Sequence, residues 1–178
     1  MQTEIIISGF GGQGVMFAGQ LLAYAALEAG KHVTWIPSYG PEMRGGTAHC
    51  TVIVSERPIG SPIVRSPGAA VVMNLPSFEK YQDRVRNGGV LVVNRSLIER
   101  QCSREDLDVA DIPATGIADE LGNNRMANLV MLGGLLGKLP VLSVDQLAGA
   151  LKAHIPERHK HTIPANLKAL KKGYELAA

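Results

Sequence analysis

Two glycine-bearing segments hold most of the residue types that could do chemistry in this 178-residue chain. The first, Gly9-Phe10-Gly11-Gly12-Gln13-Gly14, fits a G-x-G-x-x-G pattern between a β-branched run and a helical stretch. Glycines at that spacing let the backbone turn tightly and approach a ligand, while free N–H groups at a helix start attract an anion. Three uses stay open: a dinucleotide site, close packing of a strand on a helix, or contact with an anion or another subunit. A dinucleotide fold wants an acid at the end of its second strand, to hold a ribose hydroxyl. Here that strand ends Trp35-Ile36-Pro37-Ser38, and the first acid is Glu42, beyond a Tyr39-Gly40-Pro41 turn. The pattern therefore argues against a nicotinamide or flavin cofactor.

The second segment runs from Ser38 through Tyr39, Gly40, Pro41, Glu42, Met43 and Arg44 to Gly45 and Gly46. A loop opening at the carboxyl end of the second strand lies on the same edge as the first glycine loop, where α/β sheets bind ligands. Arg44 is suited to a phosphate or carboxylate through a charge-assisted fork contact, with Glu42 close enough to orient it. The alternative is a rigid surface loop with a solvated ion pair.

Other constellations carry less. His154, His159 and His161 alternate with Lys152, Arg158 and Lys160. With Pro156 and Pro164 around them, they read as a solvated connecting segment and not as a metal site. His49 and Cys50 are adjacent on a strand and so point to opposite faces, which disfavours a nucleophile pair. Asn74 and Asn94-Arg95 end strands on the presumed ligand edge and read as helix caps. Two cysteines, Cys50 and Cys102, are too few for a cysteine-ligated iron–sulfur cluster and read as free thiols or small apolar residues.

The elements that must position these residues alternate between strand and helix. Strands are expected at 4–8, 32–36, 47–54, 69–74 and 90–94, with a weaker one near 110–112. Helices are expected at 15–29, 78–85, 116–121, 125–137, 144–153 and 164–176, and Gly30 sits where a helix C-cap glycine belongs. This is an α/β pattern. It predicts a three-layer, Rossmann-like, mostly parallel sheet with helices on both faces, in a single domain spanning 1–178. Met126 to Leu139 is apolar nearly all round, as in a helix covered on several sides. The last helix, with Leu167, Leu170 and Tyr174 along one face and lysines elsewhere, is expected to cap the fold at the surface.

Composition removes several function classes. Apolar residues make up 46 %, charged residues 19 % and aromatics 4 %, with a net charge of +2. That supports a core but supplies neither the cationic stripe nor the aromatic platform of a nucleic-acid binder. The longest apolar stretch, Val15 to Leu27, falls short of the roughly 20 residues a membrane span needs. The amino terminus shows no export signal, so cytoplasmic residence is the expectation. Mean hydropathy of +0.07 favours large buried interfaces.

Together Gly11-Gly12-Gln13-Gly14 and Pro37 through Gly46 resemble the gamma subunit, or gamma domain, of the 2-oxoacid:ferredoxin oxidoreductases. The likeness extends over essentially the whole chain and includes Gly122-Asn123-Asn124-Arg125-Met126 leading into an apolar helix. It implies a subunit of a catalytic complex that is not active alone. Such complexes decarboxylate a 2-oxoacid with CoA, giving acyl-CoA and CO2 and reducing ferredoxin. The resemblance implies thiamine diphosphate, Mg2+, iron–sulfur clusters and CoA in the complex, held mainly by alpha, beta and delta partner subunits. No cofactor is expected on this chain alone, and a homodimer is possible when it is isolated. The substrate preference that the likeness suggests is 2-oxoglutarate over pyruvate and branched-chain oxoacids. Residues 11–14 and 38–46 would face the alpha/beta active-site region. The competing readings are a stand-alone NAD(P)- or flavin-dependent reductase and an assembly subunit without ligand contact.

Overall fold

A computed structural model describes residues 1–38 and 47–178. Tyr39, Gly40, Pro41, Glu42, Arg44, Gly45 and Gly46, all named above as ligand- or interface-facing, lie outside the described residues.

The chain runs β1 (Gln2–Phe10), α1 (Val15–Glu28), β2 (His32–Ser38), β3 (Thr47–Ser55), β4 (Ala69–Val72), α2 (Leu75–Tyr81), β5 (Val90–Asn94), β6 (Asp108–Ile112), α3 (Ala114–Glu120), α4 (Ala127–Lys138), α5 (Val144–His154) and α6 (Ile163–Ala177). A 3-10 turn, Asn124–Met126, leads into α4, and another, Glu157–Thr162, joins α5 to α6. The strands form one six-stranded sheet in the order β2-β3-β1-β4-β5-β6. β1, β4, β5 and β6 are parallel neighbours, whereas β3 pairs antiparallel with both β1 and β2. Five strands thus share one direction. The reversal at β3 follows from chain length: residues 39–46 cannot hold the crossover of a dozen or more residues that a parallel return requires.

Strand patterning explains the layers. The parallel strands read as continuous apolar runs because both their faces are covered. Ile5, Ile7, Val71 and Val92 point into the larger cluster, beneath α1, α3, α4, α5 and α6. Ile6, Val72, Leu91 and Val93 point into a smaller one with Phe78, Tyr81, Val85 and Ile98, under α2 and the connections beside it. The sheet is sandwiched, but unequally.

Local chemistry sets several boundaries. β4 stops at Val72, two residues short of the expected end: the Met73 N–H still reaches the Ser8 carbonyl (2.8 Å), but the Met73 carbonyl is taken by the Gln13 and Asn94 side chains and Asn74 turns to cap α2. The Asn74 Oδ1 accepts from Ser77 N–H at 2.9 Å with Pro76 in the first turn, so α2 begins at Leu75 and not at Phe78. Gly30, at φ 76°, follows the last residue of the α1 cap as expected. α5 opens on a capping box in which Ser143 and Gln146 exchange hydrogen bonds.

The last helix departs from expectation. Its buried residues are Asn166, Ala169, Leu170, Gly173 and Ala177, while Tyr174 is over a third exposed. A Cβ on Gly173 would collide with the Val130 carbonyl, and one on Gly133 with the Leu170 carbonyl. Helices α4 and α6 therefore touch backbone to backbone along a seam of small residues. Leu170 is the large apolar side chain that α6 buries fully, and the rest of its contact with α4 is made by small residues.

Among the described residues, no helix is long and apolar enough to cross a membrane.

Candidate functional site

The carboxyl ends of the parallel strands define one edge of the sheet. β1 delivers Phe10 there opposite Thr47, and β2 delivers Ser38 opposite His49. Both ends that flank residues 39–46 thus emerge at the same edge as the glycine loop.

The loop is held from within. Gln13 N–H donates to the Phe10 carbonyl (3.2 Å), and Phe10 N–H donates to the Gln13 Oε1 (2.6 Å). The Gln13 Nε2 reaches the Met73 carbonyl at 3.4 Å, tying the loop to the end of β4. Gln13 is therefore a brace. Gly12 (φ 92°) and Gly14 (φ 73°) occupy the left-handed region that side chains avoid. Gly11 and Gly12 are exposed. Gly14 caps α1, and no side chain caps that helix, so first-turn N–H groups remain available to an anion.

A second helix start converges on the first. The Asn128 Nδ2 donates to the Gly14 carbonyl (3.1 Å), while its Oδ1 accepts from Leu129 N–H (2.9 Å). A Cβ on Gly14 would strike that same side chain. Beside it lies a notch of about 180 Å3, lined by Gly12, Gln13, Met73, Leu97, Thr115, Asn124, Arg125 and Ala127. The Arg125 guanidinium is exposed there, with no carboxylate partner among the described residues. Deeper in, the buried Asn94 Nδ2 donates to the Met73 carbonyl (3.4 Å) and to the Thr115 Oγ1 (3.0 Å). Asn94 braces neighbouring loops and does not cap a helix.

This geometry bears on the dinucleotide alternative. Ligand pockets run to about 300–1,000 Å3, so the notch is too small to enclose a dinucleotide. β3 also lies between β1 and β2. Ser38 is therefore about 9–10 Å, two strand spacings, from β1, one spacing farther out than the strand end that carries a ribose-binding residue. Among the described residues, the glycine loop can touch part of an anionic ligand or a neighbouring chain, but it does not surround one.

The two cysteines lie on opposite faces of the sheet. Cys50 is buried in the larger cluster, its Sγ 3.5 Å from the Val15 carbonyl, while Cys102 lies against the smaller one. They do not fit shared ligation of an iron–sulfur cluster. Among the described residues, no group of three or more His, Cys, Asp or Glu side chains is placed to hold a metal. Burial pushes the Cys50 thiol up to about 11. It should resist alkylation in the native protein at pH 8 while half-exposed Cys102 reacts, an outcome that peptide mass mapping would check. Because the folded value is raised, this thiol's contribution to stability is intact below about pH 9 and is lost as pH rises toward 11. Cys50→Ala should flatten that alkaline decline.

His49 and Cys50 do point to opposite faces. The His49 ring lies 6.0 Å from that of Tyr81, on the α2 side. Nearby, the buried Ser8 and Ser77 hydroxyls meet at 2.9 Å, joining β1 to α2. The histidine-rich segment separates into parts. His154 stacks on Tyr24 and pairs with Glu28, whereas His159 and His161 stay exposed on the 3-10 turn.

The residues that sequence reasoning missed are Asn128 and Thr115, while Asn94 was placed at the right edge with the wrong role. Asn128 had left a signal: it is the lone polar side chain between Met126 and Leu136.

The model of the family described as pyruvate ferredoxin/flavodoxin oxidoreductase matches residues 4–176. The chain is 38 % identical to the 2-oxoglutarate synthase subunit KorC of Methanocaldococcus jannaschii, covering 99 % of this chain and 95 % of that one. It is 37 % identical to the ketoisovalerate oxidoreductase subunit VorA of Methanothermobacter marburgensis, covering 99 % of this chain but only 37 % of that protein. It therefore spans well under half of that longer relative. Among solved structures, the gamma subunit of a keto/oxoacid ferredoxin oxidoreductase from Geobacter sulfurreducens superposes with a TM-score of 0.83, at 29 % identity and 98 % coverage of both chains. The exposed glycine loop, the fold and these likenesses converge: the chain is a gamma-type unit of the pyruvate ferredoxin/flavodoxin oxidoreductase family.

Proposed function

We propose that this chain is the gamma subunit of a 2-oxoacid:ferredoxin oxidoreductase acting on 2-oxoglutarate. The complex converts the oxoacid and CoA to acyl-CoA and CO2 and passes two electrons to ferredoxin. One observation carries this reading: the glycine loop offers exposed backbone and an uncapped helix start beside a notch too small to enclose a cofactor. Such a rim is suited to completing a neighbour's ligand site. Thiamine diphosphate, Mg2+ and iron–sulfur clusters belong to the alpha, beta and delta partners in this reading, and no chemical step is assigned to this chain. The preference for 2-oxoglutarate rests on the match to KorC along nearly that relative's whole length.

Residues 11–14 and 38–46 then meet the alpha/beta active-site region and shape the approach of CoA. Arg44 contacts a CoA phosphate or the substrate carboxylate, Glu42 orients it, and Arg125 adds positive charge at the same edge. The purified chain should retain no NAD(P)H or flavin and should turn over 2-oxoglutarate only when its partners are added. A tightly held dinucleotide on the isolated chain would overturn the proposal. In the reconstituted complex, Arg44→Ala should raise the KM for CoA roughly ten- to a hundred-fold, the value of a hydrogen bond to a charged group. Unchanged KM, turnover and assembly would remove Arg44 from the site.

A further inference from the structure

Away from the carboxyl edge, the outer face of α1 raises a separate question. Val15 to Leu27 contains no charged residue, although the helix lies at the surface, with Phe17 36 % and Leu27 61 % exposed. A helix that is apolar all round is ordinarily covered on several sides. Between α1 and α5 runs a groove of about 210 Å3, with Phe17, Leu21, Leu151 and Ile155 among its lining. Its floor is preformed. The Tyr24 ring stacks on His154 (centroids 4.1 Å apart, planes 8° from parallel), His154 pairs with Glu28 at 2.5 Å, and the Gln20 Nε2 donates to the Tyr24 hydroxyl at 3.2 Å.

The carboxylates beside this groove are already paired, whereas two cations close in sequence to its lining residues are not. Glu28 is engaged by His154, and Glu157 pairs with Lys160 at 2.5 Å. Lys152 and Arg158, both exposed where α5 gives way to the 3-10 turn, have no carboxylate partner among the described residues. We infer that the α1/α5 groove is the docking site for an amphipathic helix of a sister subunit. Apolar side chains of that helix fill the groove, and its Asp and Glu residues meet Lys152 and Arg158. A second copy of this chain fits poorly, because self-association would set the same cations against one another. An anionic membrane fits poorly too, since much of the apolar surface lines a concave groove instead of protruding. In the ketoisovalerate relative this unit makes up 37 % of a longer chain, so a neighbouring module is available there as well.

The inference rests on the proposed membership of a complex, and the test separates the two. Benzoylphenylalanine is introduced at Phe17 in the full chain, co-expressed with its sister subunits, irradiated and mapped by mass spectrometry. The expected product joins Phe17 to a sister-subunit helix with acidic residues on its polar face. In the same complex, combined Lys152→Glu and Arg158→Glu substitution should weaken association at least ten-fold at low salt without shifting the thermal midpoint of the isolated chain. If the sister subunits do not copurify with the unsubstituted chain, the proposed function fails. If they copurify but the cross-link is absent, or forms to a second copy, to lipid or to a non-acidic segment, the docking site is wrong.

Discussion

Gly173→Val should lower the thermal midpoint of the isolated chain by roughly 6–12 °C, measured by circular dichroism. Overpacking a filled interior costs about 1–3 kcal/mol, and Gly173 is at the severe end because its neighbour is backbone, which has no rotamer to change. Any Cβ there meets the Val130 carbonyl, and on the facing helix a Cβ on Gly133 meets the Leu170 carbonyl. A valine therefore separates α4 from α6 or tilts one of them. Each kcal/mol moves the midpoint of a domain this size by about 2–4 °C, so about 3 kcal/mol gives the stated range. Gly149 is the control, since nothing lies within 4 Å of a Cβ placed there. Gly149→Ala on α5 should leave the midpoint unchanged or raise it slightly. Equal effects at the two positions would mean that the seam contributes nothing particular.

Gly14→Ala should cost stability for two separable reasons, and a double-mutant cycle can divide them. The residue sits at φ 73°, where a side chain costs about 1–2 kcal/mol. A Cβ would also strike the Asn128 amide, whose Nδ2 donates to the Gly14 carbonyl. Asn128→Ala removes both the obstacle and the hydrogen bond. In that background Gly14→Ala should cost less by roughly 1 kcal/mol, leaving mainly the backbone penalty. If the proposed role of the loop holds, Gly14→Ala should also depress CoA-dependent turnover in the reconstituted complex, because a Cβ there displaces the Asn128 side chain that joins the two helix starts. Additive stabilities in urea titrations would show that the two residues act independently.

How much of this was legible in the sequence varies from element to element, for physical reasons. The apolar runs at β1, β4 and β5 were readable because strands covered on both faces leave no alternation to misread. α5 was readable because its cap and periodicity agree. The seam on α6 was not, because composition marks large side chains as contacts and cannot show that a glycine is one. Strand order was also hidden. A strand–loop–helix–strand unit suggests that β1 and β2 are neighbours, and only long-range pairing reveals β3 between them. In the glycine loop, the tight turn and the helix start were anticipated. The inward brace of Gln13 was not, since its two partners, Phe10 and Met73, lie 3 and 60 residues away. Asn128 was overlooked because its partner is 114 positions distant.

The antiparallel placement of β3 has a bearing on how this family diversifies. Ser38 is registered against His49, and Thr47 against Phe10, so the stretch bearing Glu42 and Arg44 starts and finishes on rungs of one continuous ladder. Lengthening or exchanging it changes neither the register of the strands nor the side chains beneath them, and the entropic cost of a few more residues is small. Under the proposed role of this stretch, a change of oxoacid preference amounts to swapping a cassette between fixed sockets, leaving the strands that flank it unaltered.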